Sequence, residues 1–432
     1  MLLTLQWWNA GRQPYFHPFD ERWVFTPPPH PGWPWAVDRN DAAEMLRWFF
    51  PAWALMLALR HASRPDWLAT RVAWFLVVNA GLLGAVGIAQ TLSGTHRIFW
   101  ITPMSEHFFA FFGYENHAAS YFALFFAFAA GMLLQGLSPA GAKRPGRRQK
   151  LARGSIATVS ICAVLCLAGM ALSLSRTGLV LTVGLSGVAL FAAARLFWPR
   201  MSIAQRVAGV TASAMGAATF FFVVTTLGGA ALAREASNLK MNLDERVFMA
   251  HAAVRMWAAE PWFGVGGWGY RHFLPVHAAA DPVRVVSLGY ANTHNDAMQF
   301  LCEFGAVGFG LMLAATLALA WPLLRQFRRQ LAPGLALAGV GMLAVLGHSL
   351  IDLPFRSPGI LYAWLAVAGV SRFALRPSEG QTGAFQFRRG SSGTCTTKVL
   401  YTPHGPPWYL ALFVTRKTRE AHDGGERHGP CR

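Results

Sequence analysis

Hydrophobic and polar positions along this chain change on a long scale. Apolar runs cover 45–60, 70–92, 117–137, 156–175, 178–198, 207–229, 304–324, 331–351 and 359–374, with short polar or basic connectors between most of them. Most approach or exceed the roughly 18 residues that cross a bilayer as helix, and 45–60 is the shortest. None alternates at period two, which argues against a β-barrel. The pattern predicts an all-α polytopic membrane protein with about nine or more transmembrane helices.

Three segments break the pattern. A Trp/Pro-rich head fills 1–44, and its opening residues lack the basic-then-apolar order of a secretion signal. A basic, glycine-dotted tail fills 375–432 and reads as poorly ordered. The third lies between two late spans, at 230–293, and is too long for a plain connector. It holds a helical pattern, "LDERVFMAHAAVRMWAAE" (243–260), followed by "PWFGVGGWGYRHF" (261–273). The domain reading is therefore a head at 1–44, a transmembrane domain at 45–374 and a tail at 375–432.

Basic connectors set the orientation. "AKRPGRRQKLAR" (142–153) carries six Lys/Arg and belongs in the cytoplasm. Counting onward, the linker Arg195–Arg206, "RQFRRQ" (325–330) and the tail also fall inside. Ser175–Gly178, the long segment 230–293 and Asp352–Pro358 then face outward. Counting backward puts the head outside if 45–60 crosses; the alternative is a head lying on the membrane surface.

Composition agrees with this class. The chain has 432 residues, 54% hydrophobic and 13% charged, where soluble domains carry about 25% charged residues. A net charge of +18 would point to nucleic acid in a soluble protein, but cytoplasmic loops and the tail account for it, so no nucleic-acid partner is expected. The five cysteines show no metal spacing, and Cys162 and Cys166 read as small buried hydrophobes.

Chemistry gathers at the outward ends. "ANTHNDAMQFLCEFGAVGFG" (291–310) turns from polar to apolar at its middle. Thr293-x-x-Asp296 is a capping-box-like helix start, with Thr293 as cap and His294 and Asn295 in the first turn. A helix from Asn295 to Leu324 would be about 45 Å long at 1.5 Å per residue, so its first turns stand outside the roughly 30 Å hydrocarbon core. Gly305, Gly308 and Gly310 allow close approach or a bend at the entry. The positive helix end disfavours imidazolium at His294, leaving the form a general base needs, and it also attracts phosphate. A plain capped helix is the alternative.

Arg176 sits between two apolar runs with almost no loop, a costly place for a charge. Arg246 opens the outward helix, and Arg255 and Arg271 follow. Arginine grips diphosphates bidentately, although Arg246 could instead pair with Asp244, Glu245 or another surface acid. "GYENHAASYF" puts Asn116 and His117 at another outward helix start, and His348 and Asp352 lie four apart near the end of a late span. The glycines of "EPWFGVGGWGY" lack the flanking elements of a phosphate loop and read as turn formers. No zinc-type cluster is present, so no metal or cofactor is called for.

In this order the pieces resemble the bacterial O-antigen ligase and polymerase superfamily. His294–Asn295, nine residues, Gly305, two residues, Gly308 matches the H[NSQ]-x9-G-x-x-G signature of O-antigen ligases. "SLSRTG", "RVFMAHAAVRMWAAEPWFGVGGWGYRHF" and "HSLIDLPFRSPG" are similar to the surrounding family segments, and "GYENHAASYFALF" to its Asn-rich helix start. The resemblance spans roughly 105–373. It implies a GT-C-like, metal-independent, inverting glycosyltransferase of the bacterial inner membrane with its active site facing the periplasm. The implied donor is a polyprenyl-diphosphate-linked glycan. The implied acceptor is lipid A–core, with a second lipid-linked glycan (a polymerase) or a protein hydroxyl as alternatives. By position His294 matches the catalytic histidine, and Arg176 and Arg246 the diphosphate-handling arginines. Asn295, Asn116, His117, Arg255, His348 and Asp352 are supporting residues. A transporter or an inactive scaffold is the reading from another class.

Overall fold

The computed structural model describes residues 1–61, 65–104, 108–138, 153–237, 239–277, 292–327 and 333–374. The chain divides into two units, Met1–Leu375 and Arg376–Arg432. The tail lies outside the described residues, as do most of the basic loop 142–153 and residues 328–330 of "RQFRRQ". All the described helices and strands belong to the first unit.

Twelve α-helices form among the described residues: α1 (Leu2–Trp8), α2 (Arg39–Arg60), α3 (Pro65–Leu92), α4 (Glu115–Leu137), α5 (Arg153–Leu172), α6 (Arg176–Phe197), α7 (Ile203–Ser237), α8 (Leu239–Ala259), α9 (Gly269–His277), α10 (Asp296–Phe327), α11 (Pro333–His348) and α12 (Pro358–Ala374). Each expected span coincides with a helix. Six are long and apolar enough to cross a membrane, in α2, α3, α4, α5, α6 and α10, while α11 and α12 contain shorter apolar stretches. The chain is thus an all-α membrane protein, with six such spans among the described residues and about nine or more expected from the sequence.

Helix α4 is the hub. Its apolar window is 83% buried, against 11% for α6 and 17% for α10, so α6 and α10 lie at the periphery. It packs on α5, α6 and α11. The core joins Phe122, Phe125, Val159, Cys166, Met170, Val345 and Val367. Cys162 and Cys166 are both buried in it, as small apolar side chains. Close helix approach here depends on small residues: a Cβ on Gly131 would stand 2.6 Å from the Gly334 carbonyl.

The head is an integral part of this unit, and the expected boundary at residue 44 falls inside α2. Asp38 caps α2, its carboxylate accepting from the Asn40 and Asp41 amides. Ahead of it come α1 and an antiparallel hairpin, β1 (Pro14–His17) with β2 (Arg22–Phe25). Gln6 Nε2 donates to the Phe263 carbonyl at 3.2 Å, Arg12 pairs with Glu260 at 2.5 Å, and Phe25 stacks on Phe273 with centroids 5.6 Å apart. Asp41 of α2 binds Arg271 and His272 of α9. The head therefore lies on the segment that follows α8.

Helix α10 is broken at Gly305. Its φ of 63° and ψ of −173° belong to a region that is essentially glycine-only. A Cβ there would sit 2.3 Å from the Trp262 backbone. A break in a membrane helix frees amides and carbonyls that must find partners inside the protein. The stretch 261–266 supplies them. The Val265 and Gly266 amides donate to the Cys302 and Glu303 carbonyls, both at 2.9 Å. The Ala306 and Val307 amides donate to the Pro261 and Trp262 carbonyls at 2.8 and 3.1 Å. The glycine-rich loop is a turn, as expected, and it also plugs the break.

Candidate active site

The segment before α10 departs from the capping-box expectation. The helix starts at Asp296, and its cap is Asn295 rather than Thr293: Asn295 Oδ1 accepts from the Met298 amide at 3.0 Å, and its carbonyl accepts from the Gln299 amide at 2.9 Å. Thr293 Oγ1 accepts from the Asn295 amide at 3.1 Å, an arrangement that competes with helix at this point. His294 thus precedes the helix, with a positive φ of 51°. That conformation is uncommon outside glycine and is held by its neighbours. One of them is Asn295 Nδ2, which donates to the Leu350 carbonyl at 2.7 Å and ties the turn to the end of α11.

The tie brings His294 to Asp352, with Nδ1 3.5 Å from Oδ1. Nδ1 is buried and makes no aligned hydrogen bond among the described residues. Asp352 lies past the end of α11 rather than on it, in a turn whose Asp352 amide still donates to the His348 carbonyl at 2.9 Å. This keeps the four-residue spacing but turns the carboxylate toward the helix ends.

Asp352 is the hub of the polar network. Tyr114 Oη donates to Oδ2 at 2.9 Å, Asn116 Nδ2 donates to the same oxygen, and the Leu353 amide donates to Oδ1 at 2.8 Å. Arg246 Nη2 stands 3.7 Å from Oδ2, and its Nη1 donates to the Ile351 carbonyl. Arg246 therefore pairs with Asp352, more than a hundred residues away. Burial of Asp352 favours the neutral acid, yet His294, His348 and Arg246 outweigh it and hold the carboxyl at about 2. Burial first, and Asp352 second, push the Tyr114 phenol far above its usual range, so it stays a donor. Ser175 extends the network by donating to Asn116 Oδ1. The same hydroxyl accepts from the Gly178 amide at 3.1 Å, capping α6 just before Arg176.

A cavity of about 890 Å³ opens beside this network. Its lining includes Asn116, Arg176, Arg246, His294 and Asn295 together with Tyr114 and Ser175. The N-terminal residues of α4, α6 and α10 meet there, each bringing the positive end of a helix dipole. Two arginines and three helix starts make a wall suited to an anion. The polar rim Gln90, Thr91, Thr95 and His96 at the end of α3 lines the same cavity.

The remaining expected residues are placed differently. Arg255 donates to the His277 carbonyl at 2.7 Å and does not line the cavity. Arg271 is engaged with Asp41. His117 Nε2 contacts the Leu353 carbonyl at 2.9 Å, and His348 Nδ1 contacts Ser120 Oγ at 2.5 Å. Both support the Asp352 turn from behind. Among the described residues no group of three or more His, Cys, Asp or Glu side chains could hold a metal.

Sequence reasoning passed over Tyr114 and Ser175, although each flanks a residue it had singled out. It also passed over Gln299, Glu303 and Arg356. Glu303 carried a signal, being an acid inside an apolar run.

No curated protein matches the chain. The family model described as O-antigen ligase matches residues 161–313. This is the segment that carries Arg176, Arg246, His294 and the break at Gly305, and over it the chain is similar to the O-antigen ligase family.

Proposed function

We propose that the chain transfers a glycan from a polyprenyl-diphosphate carrier to an acceptor hydroxyl, at the periplasmic face of a bacterial inner membrane. The observation that carries this reading is the meeting of Arg176, Arg246 and His294 on one cavity. Asp352 close to His294 Nδ1 favours the tautomer with its proton on that nitrogen, leaving the Nε2 lone pair for the acceptor. His294 takes the hydroxyl proton as the acceptor oxygen bonds to the anomeric carbon. The bond from that carbon to the phosphate oxygen breaks, and its electron pair leaves with the diphosphate. Arg176, Arg246 and the helix starts stabilise that developing charge without reorganising. In-line displacement inverts the anomeric centre.

A polymerase or a protein O-glycosyltransferase would use the same donor wall and differ in acceptor. Clustering of the polar groups around one cavity at helix ends supports a one-sided reaction site over a translocation path, which would carry them near mid-membrane. In a ligase-null Gram-negative host, the wild-type chain is expected to restore surface-glycan transfer and His294→Ala to leave it absent. Normal transfer by His294→Ala would remove the general-base role. Transfer to a lipid-linked glycan alone would make the chain a polymerase.

A further inference from the structure

Behind the cavity lies a second polar unit that the proposed chemistry does not use. The Thr293 amide donates to Gln299 Oε1 at 2.7 Å, and Gln299 Nε2 donates to Glu303 Oε1 at 2.7 Å. Glu303 Oε2 is ion-paired with Arg356. Gln299 and Glu303 are wholly buried, and Arg356 is nearly so. The guanidinium lies 4.7 Å from the Trp268 ring centroid and 5.4 Å from that of Phe300.

Stability does not account for such a pair. Burying two charges costs several kcal/mol each, and well-packed apolar replacements are often as stable or more so. Its position in the chain points elsewhere. One end holds the amide next to His294, whose backbone is in the uncommon left-handed region. The other end is Arg356, four residues after Asp352. A parallel tie joins the same two segments: the Asp296 amide donates to the Asp352 carbonyl at 3.1 Å, and Asp296 Oδ2 accepts from the Phe355 amide at 2.9 Å.

We infer that Gln299, Glu303 and Arg356 are positioning residues that set His294 against Asp352, by fastening the turn before α10 to the turn after α11 through a buried Thr293–Gln299–Glu303–Arg356 chain. The inference rests on His294 acting as the base. A displacement of about 1 Å at a reacting group costs on the order of 10²-fold in rate. Losing the chain should therefore lower turnover while leaving the donor wall of Arg176 and Arg246 in place.

The test uses full-length protein in lipid nanodiscs and a polyprenyl-diphosphate-linked oligosaccharide as donor. Glu303→Gln and Gln299→Leu should each lower kcat by about 10–100-fold, with KM for the donor changed less than about two-fold. The paired neutral variant Glu303→Leu with Arg356→Met removes both charges, so it should keep or raise Tm yet show the same loss in kcat. In a His294→Ala background, Glu303→Gln should change the residual rate by less than about two-fold, since both act through one group. Wild-type kcat in the neutral pair would overturn the inference and make the ion pair structural. So would an equal Glu303→Gln penalty with and without His294. Full turnover by His294→Ala alone would instead overturn the reading on which it rests.

Discussion

Two regions of this protein are built by opposite rules. Around α4 the core is almost wholly apolar, and its helices approach at small residues such as Gly131 and Gly341. At the end of the same helices, within a few residues of the cavity, the interior is polar. Asp352, Glu303, Gln299 and Arg356 are buried, and each has specific partners 50 or more positions away or one turn along. In the first region a side chain is exchangeable for another of similar volume. In the second, geometry and charge are fixed together, and removing one partner strands another in a low-dielectric site. A buried network whose charges are costly to desolvate is best explained by the chemistry beside it.

The comparison predicts that site variants move turnover and core variants move stability. Among changes that keep His294, the largest effect is expected at the arginines. Arg176→Lys and Arg246→Lys should each lower transfer by about 10²-fold, because a point charge does not replace a bidentate fork. Single-turnover transfer with a lipid-diphosphate donor reads this, and wild-type rates for both would make the arginines structural. Gly305→Ala should cost both quantities, since it forces a glycine-only conformation at about 1–3 kcal/mol and clashes with the Trp262 backbone. Lower folded yield together with lost transfer is the expected result. Gly131→Ala should lower Tm through overpacking of about 1–3 kcal/mol and leave kcat unchanged.

The smallest effect concerns pH. The folded carboxyl of Asp352 is held at about 2, below its unfolded value near 3.8. Its contribution, on the order of 2 kcal/mol, is fully present above about pH 4 and is lost as pH falls through about 2. Asp352→Asn should therefore be less stable than wild type in melts at pH 6, and the gap should close in melts carried toward pH 2. A gap independent of pH would show that burial and packing, not charge, set the Asp352 contribution.

How much was legible depends on the range of each interaction. The spans were legible because a bilayer-length apolar run is a local signal, and every expected run is a helix. The His294–Asn295 to Gly305 spacing was legible as a motif, but its physical content was not. Nine intervening residues carry the chain from the cap at Asn295 to the helix break, where the glycine-rich loop docks. The placement of the cap failed by two residues because the side chain of Thr293 bonds its own local turn, a choice that propensity does not settle. Arg246 and Asp352, and Glu303 and Arg356, pair only once distant turns are folded together. No periodicity along the chain encodes such partners. The partners of the head are long-range in the same way: Gln6 and Arg12 find theirs at Phe263 and Glu260.

The most direct test of the central claim separates donor binding from transfer in one preparation. His294→Ala protein in nanodiscs would be given a polyprenyl-diphosphate-linked oligosaccharide and lipid A–core, with donor binding measured alongside single-turnover transfer. The account predicts donor affinity close to wild type and transfer reduced by about 10²–10⁴-fold, the range of a lost general base. Transfer at the wild-type rate by that variant would contradict it.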